Sequence, residues 1–71
     1  MSEIEVKFRI IQSDRSGSCS LPSNAQIIDL LGELDQNPEA VVVKRGKKIV
    51  SEQEELEDGD DLTIIPVVSG G

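Results

Sequence analysis

Residues 3–11 read as one strand, alternating through Ile10. Ile4, Val6, Phe8 and Ile10 point one way, and Glu3, Glu5, Lys7 and Arg9 the other. A period of two is the mark of a strand with one buried face. Such a strand belongs to a sheet whose apolar side must be covered by another element.

The rest of the chain supplies both sheet and cover. Gln12-Ser13-Asp14-Arg15-Ser16-Gly17 is polar and turn-rich, so a hairpin loop is expected there, with Ser18-Cys19-Ser20-Leu21 as the returning strand. Pro22-Ser23-Asn24 ends that strand. Ser23 with Gln26 three residues on fits a capping box, and Asn24 is an alternative cap. From Ala25 to Leu34, the apolar residues Ile27, Leu30, Leu31 and Leu34 fall at helical spacing, with Asp29, Glu33 and Asp35 outside the stripe. Gly32 weakens this helix by up to about 1 kcal/mol relative to Ala. Asn37-Pro38 is expected to close it.

Val41-Val42-Val43-Lys44 reads as a strand by its β-branched content. Arg45-Gly46-Lys47 forms a tight turn, and Lys48-Ile49-Val50 a short partner strand. Ser51 to Asp61 is a connector in which Leu56 is an isolated apolar anchor and Glu57-Asp58-Gly59-Asp60 supplies turn chemistry. Leu62 to Val68 is the last strand. The order β-β-α-β-β-β predicts an α+β fold with one helix across one face of a sheet of four to five strands.

Size and composition narrow the function. A chain of 71 residues makes one domain and buries roughly 60% of its unfolded surface, so an enzyme-sized cavity would compete with the core for volume. Phe8 is the only aromatic residue, which leaves the core to Ile, Leu and Val. No run of about 20 apolar residues exists to span a bilayer. The start, Met1-Ser2-Glu3-Ile4-Glu5, lacks the basic and apolar segments of a secretory signal, so the expected location is cytoplasmic. Cys19 is the single cysteine and the chain has no His. Cys19 therefore reads as a small apolar filler, without the usual base of a Cys nucleophile.

The net charge is −7, with 14 acids against 7 bases. Nucleic-acid binding, which rests on Lys and Arg at phosphates, is disfavoured. The overall charge points instead to a basic protein partner guided by electrostatics. Seven of the ten residues from Glu52 to Asp61 are acidic. They read as a solvated loop or a steering patch. Calcium fails on spacing, because with Gly59 at position 6 of an EF-hand loop Leu56 would take a ligand position and Ile65 the bidentate Glu position. Lys44, Arg45, Lys47 and Lys48 read as a solvated edge that discourages edge pairing.

The sequence closes on Ser69-Gly70-Gly71 directly after an apolar strand. The element order together with three segments, Ile27-Ile28-Asp29-Leu30-Leu31-Gly32-Glu33-Leu34, Leu56-Glu57-Asp58-Gly59-Asp60-Asp61-Leu62 and Ile64-Ile65-Pro66-Val67-Val68-Ser69-Gly70-Gly71, resembles the ubiquitin-like (β-grasp) sulfur carriers. These include the thiamin-pathway sulfur carrier and the small subunit of molybdopterin synthase. The resemblance implies a mixed sheet with its first and last strands paired in parallel at the centre. It divides the chain into a β-grasp domain over 1–68 and a Gly-Gly tail over 69–71.

It also implies the chemistry. A ubiquitin-activating-type enzyme uses ATP to adenylate the terminal carboxylate, a persulfide sulfur donor converts it to a thiocarboxylate, and a sulfur-accepting enzyme passes the sulfur to a small molecule or a tRNA. Carried onto this chain, Gly71 is the covalent attachment residue and Gly70 and Ser69 thread it into the partner. Glycine suits the role because its backbone approaches a surface closely and takes φ values closed to other residues. The chain itself offers no P-loop, metal-ligand cluster or His, so no catalytic residue, metal or cofactor is expected in it.

By alternation along the last strand, Leu62 and Ile64 face the core and Thr63, Ile65 and Val67 face outward. Ile65 and Val67 are then the candidate docking pair beside the tail. Pro66 donates no backbone hydrogen bond, so the ladder is expected to weaken there. Three other readings use the same sequence: a protein modifier joined through Gly71 to target lysines, a tail-donating subunit of a molybdopterin-synthase-like complex, and a passive binding module. Pro66-Val67-Val68-Ser69 departs from the molybdopterin type, which usually shows two prolines, and Ser69 departs from the thiamin type, which often has a third glycine.

Overall fold

A computed structural model gives the fold and describes residues 2–67. The elements are β1 (Glu3–Ile10), β2 (Arg15–Pro22), α1 (Ile27–Glu33), a 3₁₀ turn (Pro38–Ala40), β3 (Val41–Arg45), β4 (Lys48–Val50) and β5 (Asp61–Pro66). The five strands form one mixed sheet in the order β2-β1-β5-β3-β4. β1 and β5 pair in parallel at its centre, with Phe8 opposite Leu62 and Ile10 opposite Ile64. The other pairs are antiparallel. This is the β-grasp arrangement that the resemblance implies.

The core lies between the sheet and α1. Ile4, Val6, Phe8 and Ile10 of β1, Leu62 and Ile64 of β5, and Val43 of β3 meet Ile27, Leu30, Leu31 and Leu34 there. The apolar stripe read from the sequence is thus the stripe that is buried. Leu56, expected as an isolated anchor, is 2% exposed and joins the same core.

Local details differ from the sequence reading, each for a physical reason. β2 begins at Arg15, three residues earlier than expected, because pairing with β1 carries the ladder through the polar stretch to Ile10 opposite Arg15. Gly17 lies opposite Phe8, and a Cβ there would sit 3.3 Å from the ring. The helix cap is neither Ser23 nor Asn24 but Gln26, whose N–H donates to the Asp29 carboxylate at 2.8 Å. Ser23 instead donates its backbone N–H to the Ser2 carbonyl. The next free donors of the helix, Ile27 and Ile28, bond the carbonyls of Glu54 and Glu52 at 2.9 and 2.8 Å. The connector therefore supplies acceptors that a helix start lacks within itself. Replacing Asp29 by Ala removes an acceptor at this start, and a loss of about 0.5–2 kcal/mol is expected in a urea melt; no loss would show that the connector alone holds it.

The helix is closed at Asp35 rather than by Asn37-Pro38. Asp35 takes φ 58, and Gln36 and Asp35 donate to the carbonyls of Leu31 and Gly32 at 2.8 and 3.2 Å. This is a Schellman ending with Asp where Gly is usual, so the sequence carries no glycine to mark it. Asn37 caps the 3₁₀ turn, accepting from Glu39 N–H. The β3–β4 hairpin turns on Gly46 at φ 63, a conformation that glycine adopts without steric cost.

The acidic connector is not merely solvated. Asp58 accepts from the Glu5 N–H at 2.8 Å, and Asp60 accepts from the Glu57 N–H at 2.8 Å. Arg45 reaches back to it, pairing with Asp60 at 3.0 Å and donating to the Glu55 carbonyl at 2.6 Å. Arg45 thus leaves the solvated basic edge expected of it and clamps the connector onto β3. Among the described residues, no helix is long and apolar enough to cross a membrane, and no group of three or more His, Cys, Asp or Glu could hold a metal ion.

Candidate functional site at the end of the last strand

β5 occupies the middle of the sheet, which fixes its two faces. Leu62 and Ile64 are fully buried against the helix side. Thr63 and Ile65 alternate onto the opposite, open face and are half-buried there, while Val67 is 47% exposed. Ile65 and Val67 therefore stand on the open face at the end of β5, where the chain continues to residue 68.

Pro66 is placed where its missing donor is harmless. Ile64 directs its carbonyl toward β1, where it accepts from Ile11 N–H at 3.0 Å, and Val67 directs its N–H toward Ala40, just before β3, at 2.8 Å. By alternation Pro66 nitrogen faces the β1 side, beyond the last β1 bond. Pro66 still pairs in register with Val41. The expected weakening is therefore confined to the β1 side, and β5 stays bonded to the β3 side through Val67. The expected strand residue Val68, and Ser69, Gly70 and Gly71, lie outside the described residues.

The structure adds two neighbours that the sequence did not single out. Val42 stands directly opposite Ile65 on β3. Ile11, 49% exposed, lies beside Ile65 on the other side, continuing the β1–β5 pairing. Ile11, Ile65, Val42 and Val67 together make an apolar band across the open face at the end of β5. Val41-Val42-Val43 shows no alternation of residue type, so its faces could not be read in advance. Ile11 directly follows β1, at the outward parity of Lys7 and Arg9, and that parity is the signal that could have found it.

Cys19 takes no part in this site. It lies on the edge strand β2 opposite Val6 and packs partly buried against the core. Burial, and secondarily the Glu33 carboxylate, push its thiol above the ordinary range. A thiol held protonated is a poor nucleophile.

Comparison with known proteins agrees with this geometry. The ThiS family matches residues 9–71. A sulfur carrier protein, TtuB of Thermus thermophilus, is 35% identical over 48 residues, covering 68% of this chain and 74% of its own length. A Pyrococcus furiosus protein assigned as molybdopterin converting factor, subunit 1, superposes with TM-score 0.73 at 23% identity, over 92% of this chain and 99% of that one. SAMP1 of Haloferax volcanii superposes with TM-score 0.71 at 19% identity, over 94% of this chain and 99% of its own. At these identities the two structures bear on the fold.

Proposed function

The chain belongs to the ThiS family of ubiquitin-like sulfur carriers, and from that premise we propose that it carries sulfur as a thiocarboxylate on Gly71. The observation that supports this most is the extent of the family match, which runs through Gly70-Gly71. The apolar band at the end of β5 supports it further, since it offers a docking surface, centred on Ile65 and Val67, beside the residues that lead to the reacting group.

In this reading an ATP-dependent adenylating enzyme binds the β-grasp domain and takes up Ser69-Gly70-Gly71. The Gly71 carboxylate attacks the α-phosphorus of ATP, and pyrophosphate leaves. The terminal sulfur of a donor persulfide then attacks the acyl-adenylate carbonyl and AMP leaves, forming an acyl disulfide. A second thiol cleaves that disulfide, releasing the thiocarboxylate and a thiol-derived disulfide. A sulfur-accepting enzyme draws on the thiocarboxylate for a small molecule or a tRNA. This chain contributes the carboxylate, the thin tail and the docking face, and the partner supplies the chemistry. In this reading the protein works in the cytoplasm, where ATP and persulfide donors are available to it.

The test is the C-terminal fragment spectrum of the protein purified from its own cells. Sulfur in place of one oxygen on Gly71 is the expected result. The fragment must locate the change, because oxidation of Met1 or Cys19 gives nearly the same mass shift. A plain carboxylate, with Gly71 found joined to lysines of other proteins, would replace the carrier reading by the modifier.

A further inference from the structure

The two edges of the sheet are unlike. β4 is three residues long, begins at Lys48 and follows Lys47. Shortness and lysine both keep an edge from pairing with another chain. β2, at the other edge, runs eight residues from Arg15 to Pro22. It opens the longest run of the sequence without a charged residue, from Ser16 to Ile28.

The hydrogen bonds of β1 fix which backbone groups of β2 are spare. Glu5 and Lys7 turn their N–H groups away from β2, to the Asp58 carboxylate and the Asp60 carbonyl. Ile4, Val6, Phe8 and Ile10 therefore bond β2, at Leu21, Cys19, Gly17 and Arg15. Ser16, Ser18 and Ser20, between these, turn N–H and C=O to the free edge. Among the described residues no loop or helix backbone meets them, and the Ser20 carbonyl has only the Cys19 thiol, at 3.9 Å. Pro22, which has no N–H, is the next outward position and ends the run.

We propose that β2 is the seam of a homodimer, its free edge pairing antiparallel with β2 of a second copy. With Ser18 opposite Ser18 of the second copy, Ser16 falls opposite Ser20 and Ser20 opposite Ser16. Each outward N–H and C=O of the three serines then has a partner, and the same patch serves both copies, as a two-fold contact requires. Outward side chains that are all serines give a foreign strand no pockets by which to be selected.

Charge favours a second copy at this edge over any other. Near the seam stand Asp14, Glu33, Glu3 and Glu5 against Arg15, Lys7 and Arg9. Four acids against three bases leave six of the seven net negative charges elsewhere. The seam does not depend on the carrier reading. It lies two strands from β5, and the two-fold sends the β5 ends of the two copies to opposite ends of a joined sheet, so neither covers the other.

Sedimentation equilibrium of the full-length chain tests the seam. Pairing along one strand edge buries less than the roughly 1,200 Å² of a standard interface, so half-association is expected at about 0.1–1 mM. Raising the salt should tighten the association, because it screens the repulsion between two acidic chains. S18P removes an outward N–H that β1 does not use and should weaken association at least about tenfold. S18K sets like charges opposite each other and should weaken it about threefold or more. S18A leaves the backbone pairing intact and should stay within about twofold of the unaltered chain. Thermal melts confirm the folds, and S18K decides if S18P does not fold. Amide exchange at Ser16, Ser18 and Ser20 should slow as concentration rises, while Gly17 and Cys19, already bonded to β1, stay unchanged. A monomer at about ten times the expected midpoint would overturn the homodimer and leave the edge to a strand of another protein. Association that S18P and S18K do not weaken, or slowing at residues other than the three serines, would overturn the seam.

Discussion

Deleting Gly71 is expected to abolish ATP-dependent activation of this protein without lowering its melting temperature. The two effects separate because, among the described residues, the core runs from Ile4 to Ile64, and a glycine has no side chain to contribute to it. The reacting carboxylate, however, retreats by one residue, about 3.3–3.6 Å of extended chain. A misplacement of about 1 Å at a reacting centre can already cost about 100-fold in rate. The expected loss in pyrophosphate release is therefore more than about 100-fold. A melt that falls with the activity would instead assign residue 71 a structural role. Activity that survives in cells after truncation would remove Gly71 as the acyl site.

Replacing Ile64 by Ala should nearly unfold the domain. Ile64 is fully buried and sits where three central strands meet, opposite Ile10 on β1 and Val43 on β3. Truncating such a residue costs about 2–5 kcal/mol, from lost burial and from the cavity left behind. A domain of this length has about 4–11 kcal/mol of stability in all. The urea midpoint should fall by roughly a fifth at the least, and at the upper end the variant should be unfolded in water. The adjacent Ile65→Ala faces the other way and is half-exposed, so about 1 kcal/mol or less is expected. Comparable losses at the two positions would mean that β5 does not alternate as described.

Much of this arrangement was legible because it depended on local pattern. The alternation of β1, the stripe Ile27, Leu30, Leu31 and Leu34, and the buried pair Leu62 and Ile64 each follow from which residues can share one dry face. Asp35 shows the limit of that reading. A helix ending that relies on φ 58 at a non-glycine residue has no compositional mark. The cap at Gln26 is similar, since the bonds of Ile27 and Ile28 come from a connector more than twenty residues away.

The sequence by itself determined the element order, the core stripe, the outward direction of Ile65 and Val67, and the candidate role of Gly71. The first three depend on residue type and on periods of two and 3.6, which a linear string contains, and the last is what the resemblance to the sulfur carriers implies. Tertiary structure alone decided which side chains of different strands stand together. Strand register brought Arg9, Thr63 and Lys44 into one row and set Val42 against Ile65. Alternation sets Arg45 and Lys44 on opposite faces, and register decided that Arg45 meets Asp60 while Lys44 stands beside Thr63. Net charge is a sum over the chain and holds no information about faces. Only the pairing of strands showed that Lys7, Arg9 and Lys44 share the open face with Glu3, Glu5 and Asp61.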